Sequence, residues 1–496
     1  MYRLLPVVAA MGLGCWAATD VAADTTLAGP VVSDQTWSGS VVITNDVTIE
    51  ATVTVQPGTA IVFAPEAKGR SIALGIGRFV AGGRLILAGT EQAPITVQTA
   101  PDAPPARMVV AGKDAAPLTA HWTVFTRLGT ETEPAVDIQC GPGEAHVRIE
   151  QCRFDECGAL QARLRGQAAL TIEDCRLEAT VGRTAVRCLG SGSAAKTIRS
   201  NRIDAALALS GQNLTVGGNI IVGPRAAIGV PAHDQAPVII RDNFVHNTTD
   251  TDDGRFVLSC YEPEAEIAGN VLVGGSFVVE MASRHFHDNV LVGVAGLKSK
   301  LVGSATTHQL VSNLPPDAVF ERNLLLGPAY AMLATSIGAR NVQIRQNTFD
   351  GWGRAMRGLH LNMLARERVA AVIHSNLFMR LAGPAVAADP GSPPPVAEWS
   401  ENVLCDVARP ANGLTLPTTQ PIVPDVTQLH LRGPAEGLPE ALEKQLLDGQ
   451  ISIAQLRQRL VNGYRPQPGS PLIVSAGEGN PARHIGAIPP VPTSQP

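Results

Sequence analysis

Aromatic residues make up only 4% of this 496-residue chain, and neither sign of charge is in much surplus: 39 Lys and Arg stand against 44 Asp and Glu, a net charge of −5. So mild a balance lacks the basic footprint of a nucleic-acid binder. Beyond the first two dozen residues no stretch is apolar for the ~20 residues that a bilayer-spanning helix needs. The eight cysteines match no zinc-ligand spacing. What is plentiful is glycine (48) and proline (37), the punctuation of many short strands joined by turns. Hydrophobic content of 45% supplies a packed core.

The first 23 residues read as an export signal. Arg3 provides the positive start, an apolar stretch runs over 4–18, and Val21, Ala22 and Ala23 offer small residues before a cut ahead of Asp24. Pro6 interrupts that stretch, which is too short for a comfortable span. Leu13-Gly14-Cys15 looks like part of a lipobox, so a lipid anchor on Cys15 is the minor alternative. The expected location is secreted, periplasmic or cell-surface. Cutting after Ala23 leaves seven cysteines, an odd number, and an oxidising compartment permits disulfides among them.

One phrase recurs from residue 149 onward: apolar, two variable residues, Asn, one variable residue, apolar. Its central residues are Asn201, Asn219, Asn243, Asn270, Asn289, Asn323, Asn347, Asn376 and Asn402, with Cys152 and Cys175 in the same slot of two earlier copies. From 152 to 402 that is 250 residues in ten intervals, averaging 25. In a plain strand, positions 0, 2 and 4 share a face. Here 0, 3 and 5 point inward, so one residue slips out of step at a bend between two strands. Asn tolerates a left-handed backbone there, and amides piled ~4.8 Å apart in successive coils hydrogen-bond to one another. Cys is small enough to substitute.

A leucine-rich repeat fits the same letters, and such repeats run 20–29 residues. The intervals here range from 18 to 34, a spread that a helix in every turn tolerates poorly. The residues after each Asn are β-formers rather than helix-forming leucines. The fold predicted is therefore all-β: a right-handed parallel β-helix solenoid with a C-terminal capping helix.

This ladder is similar to that of the right-handed parallel β-helix superfamily, which includes pectate lyases and many secreted bacterial proteins. The likeness reaches both ends. The short strands of 41–98, the Gln56-Pro57-Gly58-Thr59 turn, Gly83-Arg84-Leu85, Gly89-Thr90 and Pro94-Ile95 resemble the opening coils of such proteins. Tyr464-Arg465-Pro466, Gly469-Ser470-Pro471 and Ile485-Gly486-Ala487 resemble a closing phrase common in the group. The motifs specify architecture and leave the reaction open, since one fold hosts many functions.

Four regions follow: the signal at 1–23, opening coils at 24–135, the regular ladder at 136–410, and a C-terminal cap at 411–496. In the cap, Leu438, Leu442, Leu446, Leu447, Ile451, Leu456 and Leu460 recur at roughly helical spacing. That pattern predicts an amphipathic helix within 436–463, lying on the last coil and covering its strand edges. A Pro-rich tail after Pro489 is expected to be disordered.

Each coil has three strands, with Asn between the second and third. In pectinase-type members the substrate groove follows the first-strand face, and the resemblance directs attention there. The loop 247–255 carries Asp250, Asp252, Asp253 and Arg255; Glu280 ends a first strand; Lys298 and Lys300 open the longest interval. Asp250, Asp252 and Asp253 form a candidate Ca²⁺ site through hard oxygen ligands, and a neighbouring Lys or Arg suits proton abstraction beside a uronate carboxyl. A solvated acidic turn with ordinary surface lysines explains the same residues. His285 and His287 flank the inward Phe286 and so share an outer face, where His285 is a candidate acid–base or metal-binding group. Tyr261, Tyr330 and Trp352 enter or leave first strands, and their rings suit sugar stacking or packing over the coil beneath. Cys152 and Cys175, in adjacent coils, lie within reach of a disulfide or stay as buried thiols.

These residues point to an exported repeat protein that engages polysaccharide along its first-strand face. The alternatives are a noncatalytic surface or envelope scaffold and a polysaccharide lyase acting on acidic glycans. Glycoside hydrolysis also stays open.

Overall fold

The computed structural model describes residues 19–21, 25–64, 78–81, 83–111, 117–141, 143, 145–178, 180–190, 193–231, 237–249, 256–281, 283–294, 307–312, 314–335, 341–361, 371–388, 396–416, 421–434, 438–474 and 483–489. The chain winds as a parallel β-helix with three strands per coil. Second strands build a 16-stranded parallel sheet, from Thr19–Val21 to Val396–Ser400. First and third strands build two more sheets, which merge into one 29-stranded surface where strands such as Ser40–Ile49 and Leu377–Ala388 turn the corner between them. At the spacing between adjacent strands, sixteen coils extend roughly 70 Å.

Parallel register puts the same phrase position of every coil in one column. The first position runs unbroken from Trp37 through Ile149, Ile198, Ile267 and Phe320 to Trp399, all buried. Rings stack where columns turn aromatic, as in Phe349 on Phe378, with centroids 4.7 Å apart and planes 5° apart. The interior is a set of one-dimensional stacks, each side chain meeting its counterpart above and below.

The ladder stands at the corner between second and third sheets. Each Asn Nδ2 donates to the carbonyl of the inward residue one coil back, as Asn289 does to Ile267 at 2.9 Å. Its Oδ1 accepts both the backbone N–H and the side-chain amide of the preceding ladder Asn; for Asn270 to Asn289 these bonds measure 3.0 and 2.9 Å. The same pattern continues through Asn402. Cys152 and Cys175 mimic the donor half, their Sγ atoms meeting Ala120 O at 3.5 Å and Ile149 O at 3.4 Å. Thr123, buried above Cys152, holds the same slot one coil earlier. Among the described residues all seven cysteines are buried and unbridged.

One detail differs from expectation. The left-handed residue is not the Asn but the one before it: Gln151, Asp174, Ser200, Gly218, Asp242, Gly269, Asp288, Arg322, Gln346, Ser375 and Glu401 all have φ between +52° and +69°. The bend turns that side chain outward, away from the interior columns, where polar residues and glycine tolerate it. The Asn then points inward, where its amide stacks.

Among the described residues, α-helix is confined to the C-terminal segment. It comes as two pieces, α1 (Glu440–Leu447) and α2 (Ile453–Gly463). Gly449, with φ +73°, separates them, and Ser452 with Gln455 forms a capping box that starts α2. The segment does not sit on the last coil. It lies along the flank of the stack, against the outer face of the third sheet. Leu446, Leu456, Leu460, Tyr464 and Leu472 pack there on Phe244, Val271, Val290, Leu324 and Leu377. Arg202 Nη1 to Leu447 O (2.7 Å), Arg457 Nη1 to Asp288 O (3.0 Å), Tyr464 Oη to Asp350 Oδ2 (2.8 Å) and Ala487 N to Thr348 Oγ1 (3.0 Å) tie it to successive coils. The reason is apolar area: the outer face of many stacked coils offers far more surface than the end of one coil.

Thr19–Val21, inside the expected signal, pair with Gln35–Trp37. The rest of that signal, with Cys15, and the tail after Pro489 lie outside the described residues.

Candidate functional site

On the outer face of the first sheet, register lines up one residue per coil: Asp137, Gln161, Arg187, Ala208, Gly229, Ser259, Glu280, Ser312, Ala334 and His360. The row divides into three parts. At the start Gln161 Nε2 donates to Asp137 Oδ1 at 3.1 Å, and both are nearly buried. In the middle the side chains almost vanish, leaving Ala206, Ala208, Ala227 and Gly229 as a bare floor. Beyond it the face rises again at Phe256 and Ser259.

Two clefts open along this floor, of about 390 and 380 Å³, and they share Arg183 and Thr184. Together they form one trough. Arg183 and Arg187 are exposed on its wall, while Arg225 is fixed by donating from Nη1 to Gly182 O at 2.8 Å. Glu131 and Glu133 border the lower cleft, and the upper one has Phe256 and Ser259 at its far end. Three guanidiniums along a shallow trough are suited to carboxylate or sulfate groups on an extended ligand, because each fork donates two parallel bonds.

Beyond Phe256 lies a polar and aromatic continuation. Burial pushes the Tyr261 phenol up, and the Glu280 carboxylate that accepts its hydrogen bond pushes it the same way; a bond with Ser259 opposes both. Phe256 and Phe277 lie 5.1 Å apart, Phe277 meets His308 edge-on at 5.1 Å, and His308 stacks on Tyr330 at 5.5 Å. Arg357 then lies 4.7 Å over the Tyr330 ring, with Nη1 3.0 Å from the His360 imidazole.

Of the residues expected to act, Tyr261, Glu280 and Tyr330 do share this face, and Tyr261 and Glu280 touch. Of the two roles open to Tyr330, packing against neighbouring coils is the one this geometry favours: His308 from the coil before and Arg357 from the coil after lie against its ring. His285 is exposed and Phe286 buried, as the alternation required, but this strand belongs to the second sheet, so His285 is not part of the trough. Its neighbour His287 bonds Asp288 at 2.8 Å, and Arg322 reaches the same carboxylate at 2.9 Å. Burial raises the Asp288 carboxyl, but those two partners outweigh it and hold it at about 2. Trp352 also lies elsewhere. It has φ +50°, and its indole covers Gly327, partly buried with the apolar cluster under the C-terminal segment.

Asp250, Asp252, Asp253, Arg255, Lys298 and Lys300 lie outside the described residues. The segments that carry them enter the first sheet at Phe256 and Thr307. Among the described residues no group of three His, Cys, Asp or Glu is placed to hold a metal ion. Arg183, Arg187, Arg225, Phe256, Phe277, His308, Arg357 and His360 went unread in the sequence. First strands follow loops of variable length, so their outer positions have no fixed offset from the Asn that marks each coil.

No family profile matches the chain, and no curated protein sequence does. Among solved structures, an alginate lyase from Paenibacillus sp. str. FPU-7 is similar over 74% of this chain and 92% of its own, at 11% identity and a TM-score of 0.16.

Proposed function

We propose that this is an exported β-helix protein that binds an acidic polysaccharide lengthwise along its first sheet. The observation that carries this is the bare floor of Ala206, Ala208, Ala227 and Gly229, bordered by Arg183, Arg187 and Arg225 and running toward Phe256 and the Tyr261–Glu280 pair. An extended, anionic chain matches a shallow trough in which Arg183, Arg187 and Arg225 outnumber Glu131 and Glu133. Binding is what this geometry supports; catalysis is not assigned.

Titration calorimetry against polyuronate and sulfated oligosaccharides tests the reading. Expected are binding that weakens as salt rises and a loss of about 10-fold or more on combining Arg187→Ala with Arg225→Ala. Absence of binding across acidic glycans would leave the rigid scaffold as the better account. An ultraviolet assay for unsaturated uronate products separates binding from lyase action. Any such activity that survived Asp252→Ala with Lys298→Ala would place its chemistry outside the expected loop residues.

A further inference from the structure

A separate cleft, of about 400 Å³, lies on a different part of the molecule, at the corner between the second and third sheets where the opening coils meet the ladder. Its wall is Trp122, half-buried, beside Pro94. Arg153, Asp174, Arg176 and Glu91 form the rim, and all four are exposed. We propose that this corner binds a neutral saccharide, with a pyranose ring laid on the Trp122 indole.

Trp122 is the anomaly that leads here. It stands in the slot just before the ladder residue Thr123, with φ +43°. In the next coils that slot holds Gln151, Asp174, Ser200, Gly218, Asp242 and Gly269. A bulky aromatic in the left-handed region is strained, and among the described residues it is the one aromatic at this corner. The indole is not part of the core. The inward columns of this coil are filled by Ala120 and Phe125, and no ring contact or cation–π contact to Trp122 is found among the described residues. The strained backbone thus holds a half-buried indole at the edge of the cleft.

The rim identifies the ligand class. Two guanidiniums and two carboxylates stand on the rim, and Arg153 is further engaged by Asp155 and Glu178, so the corner has no positive surplus to select an anion, in contrast to the trough, where Arg183, Arg187 and Arg225 outnumber Glu131 and Glu133. Carboxylates that accept from hydroxyls, guanidiniums that donate to them and an apolar plate for the C–H face of a ring together match a neutral sugar. The two sites face different sides of the solenoid, so one protein would hold two chemically distinct glycan segments at once.

The test compares wild type with Trp122→Ala and Trp122→Asn on a neutral-glycan array, followed by tryptophan fluorescence with the best binder. Expected is loss of about 10-fold or more in affinity in both variants, with trough binding to polyuronate unchanged. Thermal melting is the independent readout. Asn accepts the left-handed backbone, so Trp122→Asn is expected to raise Tm by about 1–3 °C. A Trp122 that merely packs would give the reverse pair of results: a lower Tm and neutral-glycan binding unaltered or absent. That outcome overturns the assignment. Arg187→Ala with Arg225→Ala, which disables the trough, leaves this site intact, so failure of one reading is separable from failure of the other.

Discussion

The outer face of the third sheet changes character halfway along the stack. In the early coils its outward positions are Arg153, Asp155, Arg176, Glu178, Arg202 and Asp204, open to solvent and cross-linked by ion pairs such as Arg153–Asp155 at 3.1 Å and Arg153–Glu178 at 3.5 Å. From Ile220 onward the same positions become Phe244, Val271, Val273, Val290, Val292, Leu324 and Leu326. Backbone and register are alike in the two halves. What differs is the C-terminal segment, whose helices cover the second half and whose reach ends near Arg202. A coil's outer side chains are thus specified by what lies over them, and the coil itself is indifferent. Even the polar residues of the covered half are matched: His246 pairs with Glu443, and buried Asp350 is met by Arg380 and Tyr464.

A reciprocal swap breaks this comparison most severely. Glu178 and Val273 hold the same position, three residues beyond the ladder residue of their coils. Val273→Glu buries an unpaired carboxylate and is expected to cost about 3 kcal/mol or more, exposing the chain beyond Gly433 to limited proteolysis. Glu178→Val in the open half should change the unfolding free energy by only about 0.5 kcal/mol. Equal costs from the two in urea titrations would show that the covering segment contributes nothing.

Tyr464 gives a smaller effect with a pH signature. Burial, then the adjacent Asp350 carboxylate, drives its phenol far above the usual tyrosine range. The folded state keeps the proton that an unfolded tyrosine releases near its ordinary value of 10.0. Its contribution is therefore complete below pH 10 and is lost as pH rises beyond. Tyr464→Phe should cost about 1–2 kcal/mol at neutral pH, because Asp350 loses a donor, and should flatten the alkaline decline measured by denaturation between pH 8 and 11. The smallest effect belongs to the open half. Glu178→Gln removes solvent-exposed ion pairs and should shift stability by about 0.5 kcal/mol or less, vanishing in high salt.

Much of the architecture was legible because the ladder phrase combines a polar residue with two inward apolar ones at a spacing neither a plain strand nor a helix produces. Thr123 escaped notice because a hydroxyl stands in for the amide and Ala120 is too small to mark the phrase. The left-handed residue was misplaced by one because Asn is known for both roles, and only the backbone separates them. The place of the C-terminal helices was written in the residues that follow each Asn, from Arg153 and Arg176 to Val271 and Val290, but reading it required knowing that they point outward. The candidate site was legible only in Tyr261, Glu280 and Tyr330. The trough floor consists of alanines and a glycine, and absent side chains carry no signal until neighbours raise the walls around them.

The sealed thiols have a practical consequence. Burial pushes Cys157 and Cys188 up to about 11 and Cys260 and Cys405 up to about 12, so reactive thiolate is scarce while the coils stay closed. Six of the sulfurs, from Cys140 to Cys260, are built-in reporters of local breathing in the coils, and Cys405, packed under the C-terminal segment, reports the release of that segment. The rate at which each takes up an alkylating label, read by mass spectrometry, would map where along its length the solenoid begins to open.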